Sequence, residues 1–138
     1  MPYPEMMVAP MRDDLVRLGF QELRTAEQVN QAMEAMEGTV VVAMNSVCGC
    51  AAGAMRPAVM LAMENEKLPD HRVTVFAGQD LEATAELRKF LVGYPPSSPA
   101  IALMKDGELV YLMERYRIEG RSAEEIADDL KSVFDENC

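Results

Sequence analysis

Thr39-Val-Val-Val-Ala-Met-Asn-Ser-Val-Cys-Gly-Cys50 decides the fold. Its first half, Thr39 to Met44, is β-branched and almost continuously apolar, the pattern of a central strand covered on both faces. Its second half turns at once into small residues, and Ala51, Met55, Val59, Ala62 and Met63 then recur at helical intervals as far as Asn65. A buried strand therefore feeds a helix, and Cys48 and Cys50 stand where that helix begins. Pro57 lies inside the pattern, where its missing N–H predicts a kink rather than a break.

Upstream, Met11, Leu15 and Leu18 predict a first helix from Pro10, stopped by Gly19. Thr25 with Gln28 forms a capping-box pattern, and Val29, Ala32, Met33 and Met36 mark one face of a second helix ending at Gly38. Downstream, Arg72 to Ala77 alternates as a strand. Asp80 is placed to cap a helix over Leu81 to Val92, with Gly93 as its stop. After Pro95-Pro-Ser-Ser-Pro99, the runs Ala100 to Met104 and Leu109 to Met113 flank Lys105-Asp-Gly-Glu108, whose Asp-Gly predicts a tight hairpin. Ser122 with Glu125 caps a final helix carrying Ile126, Leu130, Val133 and Phe134, leaving Asp135 to Cys138 as a tail. Helices between parallel strands, followed by a hairpin and a closing helix, predict a mixed sheet with helices on both sides, a three-layer α/β/α sandwich.

The 138 residues are the size of one domain, residues 1–138, with no linker or repeat, and 49% hydrophobic residues are enough for a real core. A formal net charge of -10 opposes phosphate-led binding of nucleic acid and attraction to an anionic membrane. The longest apolar run, Val40 to Met44, is far below the roughly 20 residues of a membrane span. Met1 to Leu15 carries Glu5, Asp13 and Asp14 and lacks the basic start of a secretory leader, so the expected compartment is the cytoplasm. Three cysteines there argue against a disulfide framework and for reactive, metal-binding or inert thiols.

Position separates these three readings. At a helix start, free N–H groups and the positive end of the macrodipole favour a thiolate, and the usual range for such activated cysteines is a pKa of about 3.5 to 7.5. Cys48, nearer the turn, is the expected nucleophile, and Cys50, in the first helical turn, the expected resolving thiol. A disulfide across one intervening residue closes a small, readily reduced ring, and Gly49 supplies backbone freedom for it. Ordinary core cysteines are one alternative. Another is a Cu(I)-binding carrier, since two thiolates with methionine sulfur suit that soft ion. Zinc is poorly supplied: His71 lies in a separate loop and Cys138 at the far terminus, while most of the 12 methionines fall at core positions. No metal ligand set is assigned. Asn45 and Ser46 are candidates for hydrogen bonds around the thiolate, with turn formation as the competing explanation. Arg56 is a candidate to stabilise the thiolate but reads first as a solvated helix-face residue, and Glu114-Arg115-Tyr116-Arg117 reads as a solvated strand end. Ser98-Pro99 opens a strand where a missing N–H is tolerated, in a loop whose turn character admits a cis bond.

These residues resemble a known family. The order of elements, with a cysteine motif on a kinked helix and a proline-led hairpin, is similar to the thioredoxin fold, in which a cis-proline faces the redox cysteines. Closer still is the resemblance to the bacilliredoxins of the YphP/YqiW type, which use Cys-Gly-Cys. It is carried by Asn45-Ser-Val-Cys-Gly-Cys-Ala52, Arg56-Pro57, Tyr94-Pro-Pro-Ser-Ser-Pro99, Lys105-Asp-Gly107, Ile118-Glu-Gly-Arg-Ser122 and Asn137-Cys138, across almost the whole chain.

The resemblance implies a thiol-disulfide oxidoreductase that removes bacillithiol from mixed disulfides on cytoplasmic proteins and acts on protein disulfides as isomerase or reductase. Its partners would be bacillithiolated or disulfide-containing proteins, with bacillithiol as exchanging thiol and no bound cofactor. Carried onto this chain, Cys48 takes the bacillithiol, Cys50 or another small thiol releases it, and Ser98 and Pro99 present backbone to the substrate. Unlike ordinary thioredoxins, the chain has no Trp, and Thr39 to Met44 holds no acid, so proton transfer at Cys50 lacks an obvious base and a weak general reductant is expected.

Overall fold

The computed structural model describes residues 2–138. Helix α1 spans Glu5–Val16, strand β1 Gln21–Glu22, α2 Ala26–Ala35 and β2 Thr39–Asn45. A π-helical turn over Ala51–Met55 leads into α3, Arg56–Ala62; β3 (His71–Phe76), α4 (Leu81–Arg88), β4 (Ala100–Lys105), β5 (Glu108–Met113) and α5 (Ala123–Asn137) complete the chain. The sheet order is β1-β3-β2-β4-β5. β3 runs parallel to both β1 and β2, while β4 is antiparallel to β2 and to β5.

β2 is the centre, and all seven of its residues are buried. Because side chains alternate across a strand, Val41 and Ala43 pack with Ala58, Val59, Leu130 and Phe134 from α3 and α5. Val40, Val42 and Met44 pack on the other face with Val29 of α2 and Ala83 and Leu87 of α4. Two hydrophobic layers on opposite faces make the expected α/β/α sandwich. The Asp106-Gly107 turn has positive φ at both residues, 50° and 84°, as a two-residue turn matched to strand twist requires. Thr25 accepts the Gln28 N–H, and Ser122 and Glu125 form a reciprocal capping box. No helix among the described residues is long and apolar enough to cross a membrane.

Several boundaries differ from the sequence expectation for physical reasons. α1 begins at Glu5 rather than at Pro10. Its inward positions are Val8, Arg12 and Leu15, and the arginine in that row disguises the stripe. Pro10 sits inside the helix, where the Met6 carbonyl it leaves unpaired belongs to a largely exposed residue open to water. Asp80 stands at the start of α4 but makes no capping bond, because its carboxylate accepts two hydrogen bonds from Arg12, at 2.6 and 3.0 Å. α4 stops at Arg88 and tightens into i→i−3 bonds over Lys89 to Leu91, so Val92 projects into solvent. α5 absorbs most of the expected tail and runs to Asn137. β1, two residues long, is too short to show an alternation.

The expected bend at Pro57 takes the form of the π-turn before it, in which the Arg56 N–H reaches the Ala51 carbonyl. Pro57 has no N–H with which to continue the ladder. Widening the preceding turn relieves the clash between its ring and the carbonyl four residues back.

Candidate active site

Sheet register builds the site. Met44 of β2 lies opposite Ala100 of β4, and Ile101 of β4 opposite Met113 of β5. Three segments therefore leave the same end of the sheet side by side: Asn45 to Cys50, Pro95 to Pro99 and Glu114 to Arg117.

The first segment is strapped from behind. Asn45 is 1% exposed; its amide donates to the Met11 carbonyl at 3.0 Å, and its Oδ1 accepts from the Ser46 N–H at 2.9 Å and from Arg56 at 2.8 Å. Arg56 also donates to the Ser46 carbonyl at 2.9 Å and approaches Asp14 at 3.3 Å. At 4% exposed, Arg56 is no solvated helix-face residue. Its cost of burial, which lowers its pKa, is offset by Asp14 and by two neutral acceptors. The hydrogen bonds of Asn45 go to the strap, and Ser46 meets Cys48 through the backbone, its Oγ accepting the Cys48 N–H at 3.1 Å.

Cys48 ends the turn. Its carbonyl accepts the N–H groups of Ala51 and Ala52, at 2.9 and 3.2 Å, which starts the helix. Its Sγ lies 2.7 Å from the Cys50 Sγ, and both thiols are half-buried. The two are driven apart electrostatically. The Cys48 pKa is lowered below the usual thiol value, first by the hydrogen bond from the Cys50 thiol, then by the Cys50 N–H, the Arg115 charge and the Ala51 N–H. The Cys50 pKa is raised, first by burial and then by the neighbouring Cys48 sulfur, on which its proton is shared. Two facing sulfurs, one shifted toward the thiolate and the other toward the thiol, are the arrangement required of an attacking and a resolving sulfur.

Gly49 plays a smaller part than the sequence suggested. Its backbone lies outside the left-handed region and a Cβ there would meet open space, so no unusual angle is required of it.

The second segment contains the Ser98-Pro99 peptide, which is cis. Ser98 is half-buried and Pro99 buried. The third contributes Arg115, a residue to which sequence reasoning gave no role. Its N–H donates to Ser97 Oγ at 2.7 Å, its guanidinium reaches the Ser98 carbonyl at 3.5 Å and Glu119 at 3.2 Å, and its charge acts on both thiols. Nothing local marks Arg115 among three charged neighbours; the signal is the pairing of β5 with β4, which is not written in the segment itself. A groove of about 500 Å³ runs along these segments, walled by Pro95, Pro96 and Tyr116 and reaching Arg88.

Cys138 stands apart. Its sulfur faces Thr39, the first residue of β2, which puts it a strand's length, about 20 Å, from the other cysteines. Burial and the Asp70 and Asp135 carboxylates raise its pKa. Among the described residues no three His, Cys, Asp or Glu side chains are grouped to hold a metal ion.

Comparison with known proteins accords with this geometry. A family model described as disulphide isomerase matches residues 3–138. A bacilliredoxin of Geobacillus kaustophilus is 55% identical over 99% of this chain and 94% of its own length. One from Cytophaga hutchinsonii is 54% identical over 97% of this chain and 98% of its own. Among solved structures, Fasciola hepatica thioredoxin superposes with a TM-score of 0.60 at 21% identity, over 86% of this chain and all of that one, a likeness of fold. With a family match along nearly the whole chain and relatives above half identity, the chain belongs to the bacilliredoxin family of thioredoxin-fold thiol-disulfide oxidoreductases.

Proposed function

We propose that the protein removes bacillithiol from mixed disulfides on cytoplasmic proteins, with Cys48 as nucleophile and Cys50 as resolving thiol. The observation that carries this reading is the Cys48–Cys50 pair, 2.7 Å apart, with one thiol shifted down in pKa and the other up. The likeness to bacilliredoxins, which extends over nearly the whole chain, supports the choice of small thiol.

In the first step the Cys48 thiolate attacks the bacillithiol sulfur of the mixed disulfide. The new bond is Cys48–S–S–bacillithiol, the bond to the client protein breaks, and the client leaves as a thiolate that takes a proton from water. In the second step Cys50 loses its proton and attacks Cys48 Sγ, which releases bacillithiol thiolate and leaves a Cys48–Cys50 disulfide. Two further small thiols then reduce that disulfide, becoming oxidised to their own disulfide. Alternatively, one small thiol loses its proton and attacks the bacillithiol sulfur of the adduct, forming a disulfide with it as Cys48 departs as thiolate.

Arg115 and the Cys50 and Ala51 N–H groups stabilise the attacking and departing sulfur charge. Asn45 and Ser46 are positioning residues that hold the turn. Ser98 and Pro99, on the neighbouring segment, offer backbone to an extended client. β2 supplies no acid to take the Cys50 proton. That favours exchange and isomerisation over fast reduction of stable disulfides. Copper carriage has no observation in its favour.

Intact-protein mass spectrometry of Cys50→Ser after incubation with a bacillithiolated model protein tests the reading, with Cys48→Ser as control. The expected result is one bacillithiol adduct on Cys48 with release of the model protein's thiol. A model protein that stays modified overturns it.

A further inference from the structure

Arg88, the last residue of α4, is placed unlike any other arginine of the chain. Its Nε is buried and has no hydrogen-bond partner; the Arg56 Nε shares that property, but Arg56 donates through its terminal nitrogens to Asn45 and Ser46. Among the described residues every other arginine donates to a carboxylate or to a backbone carbonyl. In a protein with 23 Asp and Glu residues, a half-buried guanidinium without a carboxylate is a costly arrangement, because desolvation is not offset. Burial lowers its pKa, yet a guanidinium stays charged at any physiological pH.

Arg88 also lines the groove, together with Ser98 and Arg115, whose charge acts on both thiols. The groove's other ionic groups have partners within the protein: Arg115 with Glu119 at 3.2 Å, and Glu114 with Arg117 at 3.9 Å. Pro95 and Pro96 form a wall that lacks N–H donors, so at that wall a bound anion would meet Arg88. The groove is large enough for a small molecule rather than a single water, and Arg115, which lines it, acts by its charge on the two sulfurs.

We propose that this groove seats the small-thiol half of a mixed disulfide, and that Arg88 recognises a carboxylate on that half. The proposal rests on the mixed-disulfide reading above and names the substrate's chemical class: a low-molecular-weight thiol carrying a carboxylate. Attack by Cys48 joins the small thiol's sulfur to Cys48 and expels the client as thiolate, so the tail of the transferred thiol is the part left beside Cys48. A carboxylate on that tail accepts charge-assisted hydrogen bonds from the Arg88 fork. A guanidinium already partly desolvated and held on a helix needs less reorganisation to do this than a fully solvated one.

The test compares one model client protein loaded with 3-mercaptopropionate and with its neutral isostere, 3-mercaptopropionamide. For the wild-type protein, kcat/KM for release is expected to be about tenfold higher with the carboxylate adduct, equivalent to about 1.4 kcal/mol. Arg88→Gln is expected to bring the ratio to about one, and Arg88→Lys to keep part of the preference. A wild-type ratio of one overturns the proposal without any variant, and so does an Arg88→Gln ratio equal to that of the wild type. A third arm moves the carboxylate onto the client, beside its modified cysteine, with the neutral adduct in place. Dependence on Arg88 there in place of the small-thiol arm assigns the groove to the client side and overturns the proposal. Failure of the wild type to release either adduct sinks the mixed-disulfide reading itself, a result distinct from the loss of preference.

Discussion

Met44 and Ala100 face each other across β2 and β4, and the strand end they share is where both the cysteine turn and the Ser98-Pro99 loop leave the sheet. Between them in the chain lie more than fifty residues, a parallel strand and two helices, α3 and α4. The site is thus a product of register. A shift of one residue in the pairing would turn every β4 side chain to the wrong layer, and the core on both faces forbids it.

The pH profile of Cys48 is expected to depend on Cys50. In the wild-type protein, alkylation of Cys48 should rise with pH through a midpoint below that of an ordinary cysteine, because the thiolate is favoured there. Cys50→Ala removes the largest stabilising contact, so the midpoint moves up and the rate at neutral pH falls. Cys50→Ser, which keeps a donor, moves it less. Rates of iodoacetamide labelling against pH, read by mass spectrometry, decide this; an unmoved midpoint in Cys50→Ala contradicts the assignment.

Arg115→Gln should also raise the Cys48 midpoint, by less, since Arg115 is exposed and its charge is screened. Exchange at neutral pH is expected to slow by about two- to fivefold, consistent with a solvent-screened ion pair. Added salt should shrink the difference between wild type and variant. A difference that persists at 1 M salt would point to a contact rather than a charge.

Replacing Arg56 attacks the strap. Arg56→Met keeps most of the apolar stem but leaves the Asn45 and Ser46 oxygens without their buried donor and Asp14 without its cation. A loss of about 2 to 3 kcal/mol is expected from such unsatisfied groups, measured by urea denaturation. Refolded protein should also show slower exchange, because the turn that holds Cys48 has lost its brace.

Gly38→Ala should be destabilising by about 1 to 3 kcal/mol. Gly38 has φ +82°, and an added Cβ would collide with the Asp70 carboxylate that accepts the Thr39 N–H at 3.0 Å. A thermal melt reads the effect. Because the contact lies at the opposite end of β2 from the thiols, the exchange rate of the folded variant should match the wild type.

Cys138→Ser is expected to leave exchange unchanged. Its sulfur lies at the far end of the sheet, and its raised pKa makes it the poorer nucleophile at neutral pH. Loss of activity in this variant would require a second molecule to bring Cys138 to the site, which a dilution series would reveal.

Reading the sequence went furthest where a pattern is local. The apolar run of β2, the capping residues Thr25 and Ser122, the Asp106-Gly107 turn and the small-residue turn holding Cys48 and Cys50 each follow from neighbours in the chain. From these came the layered fold and the two sulfurs. It faltered where a polar side chain takes a distant partner: Asp80 is drawn from its capping position by Arg12, sixty-eight residues away, and Arg56 looks like a surface residue until Asn45, Ser46 and Asp14 are around it.

By itself, then, the order of residues determined the elements, their inward faces and the placement of two thiols at a helix start, because backbone propensity and hydrophobic burial act over a few neighbours. Only the tertiary structure decided which charges reach those thiols, which arginine is left without a protein acceptor and which loop shares their end of the sheet. Charge and hydrogen bonding act through space, and the distances that set their strength exist only once the strands have paired.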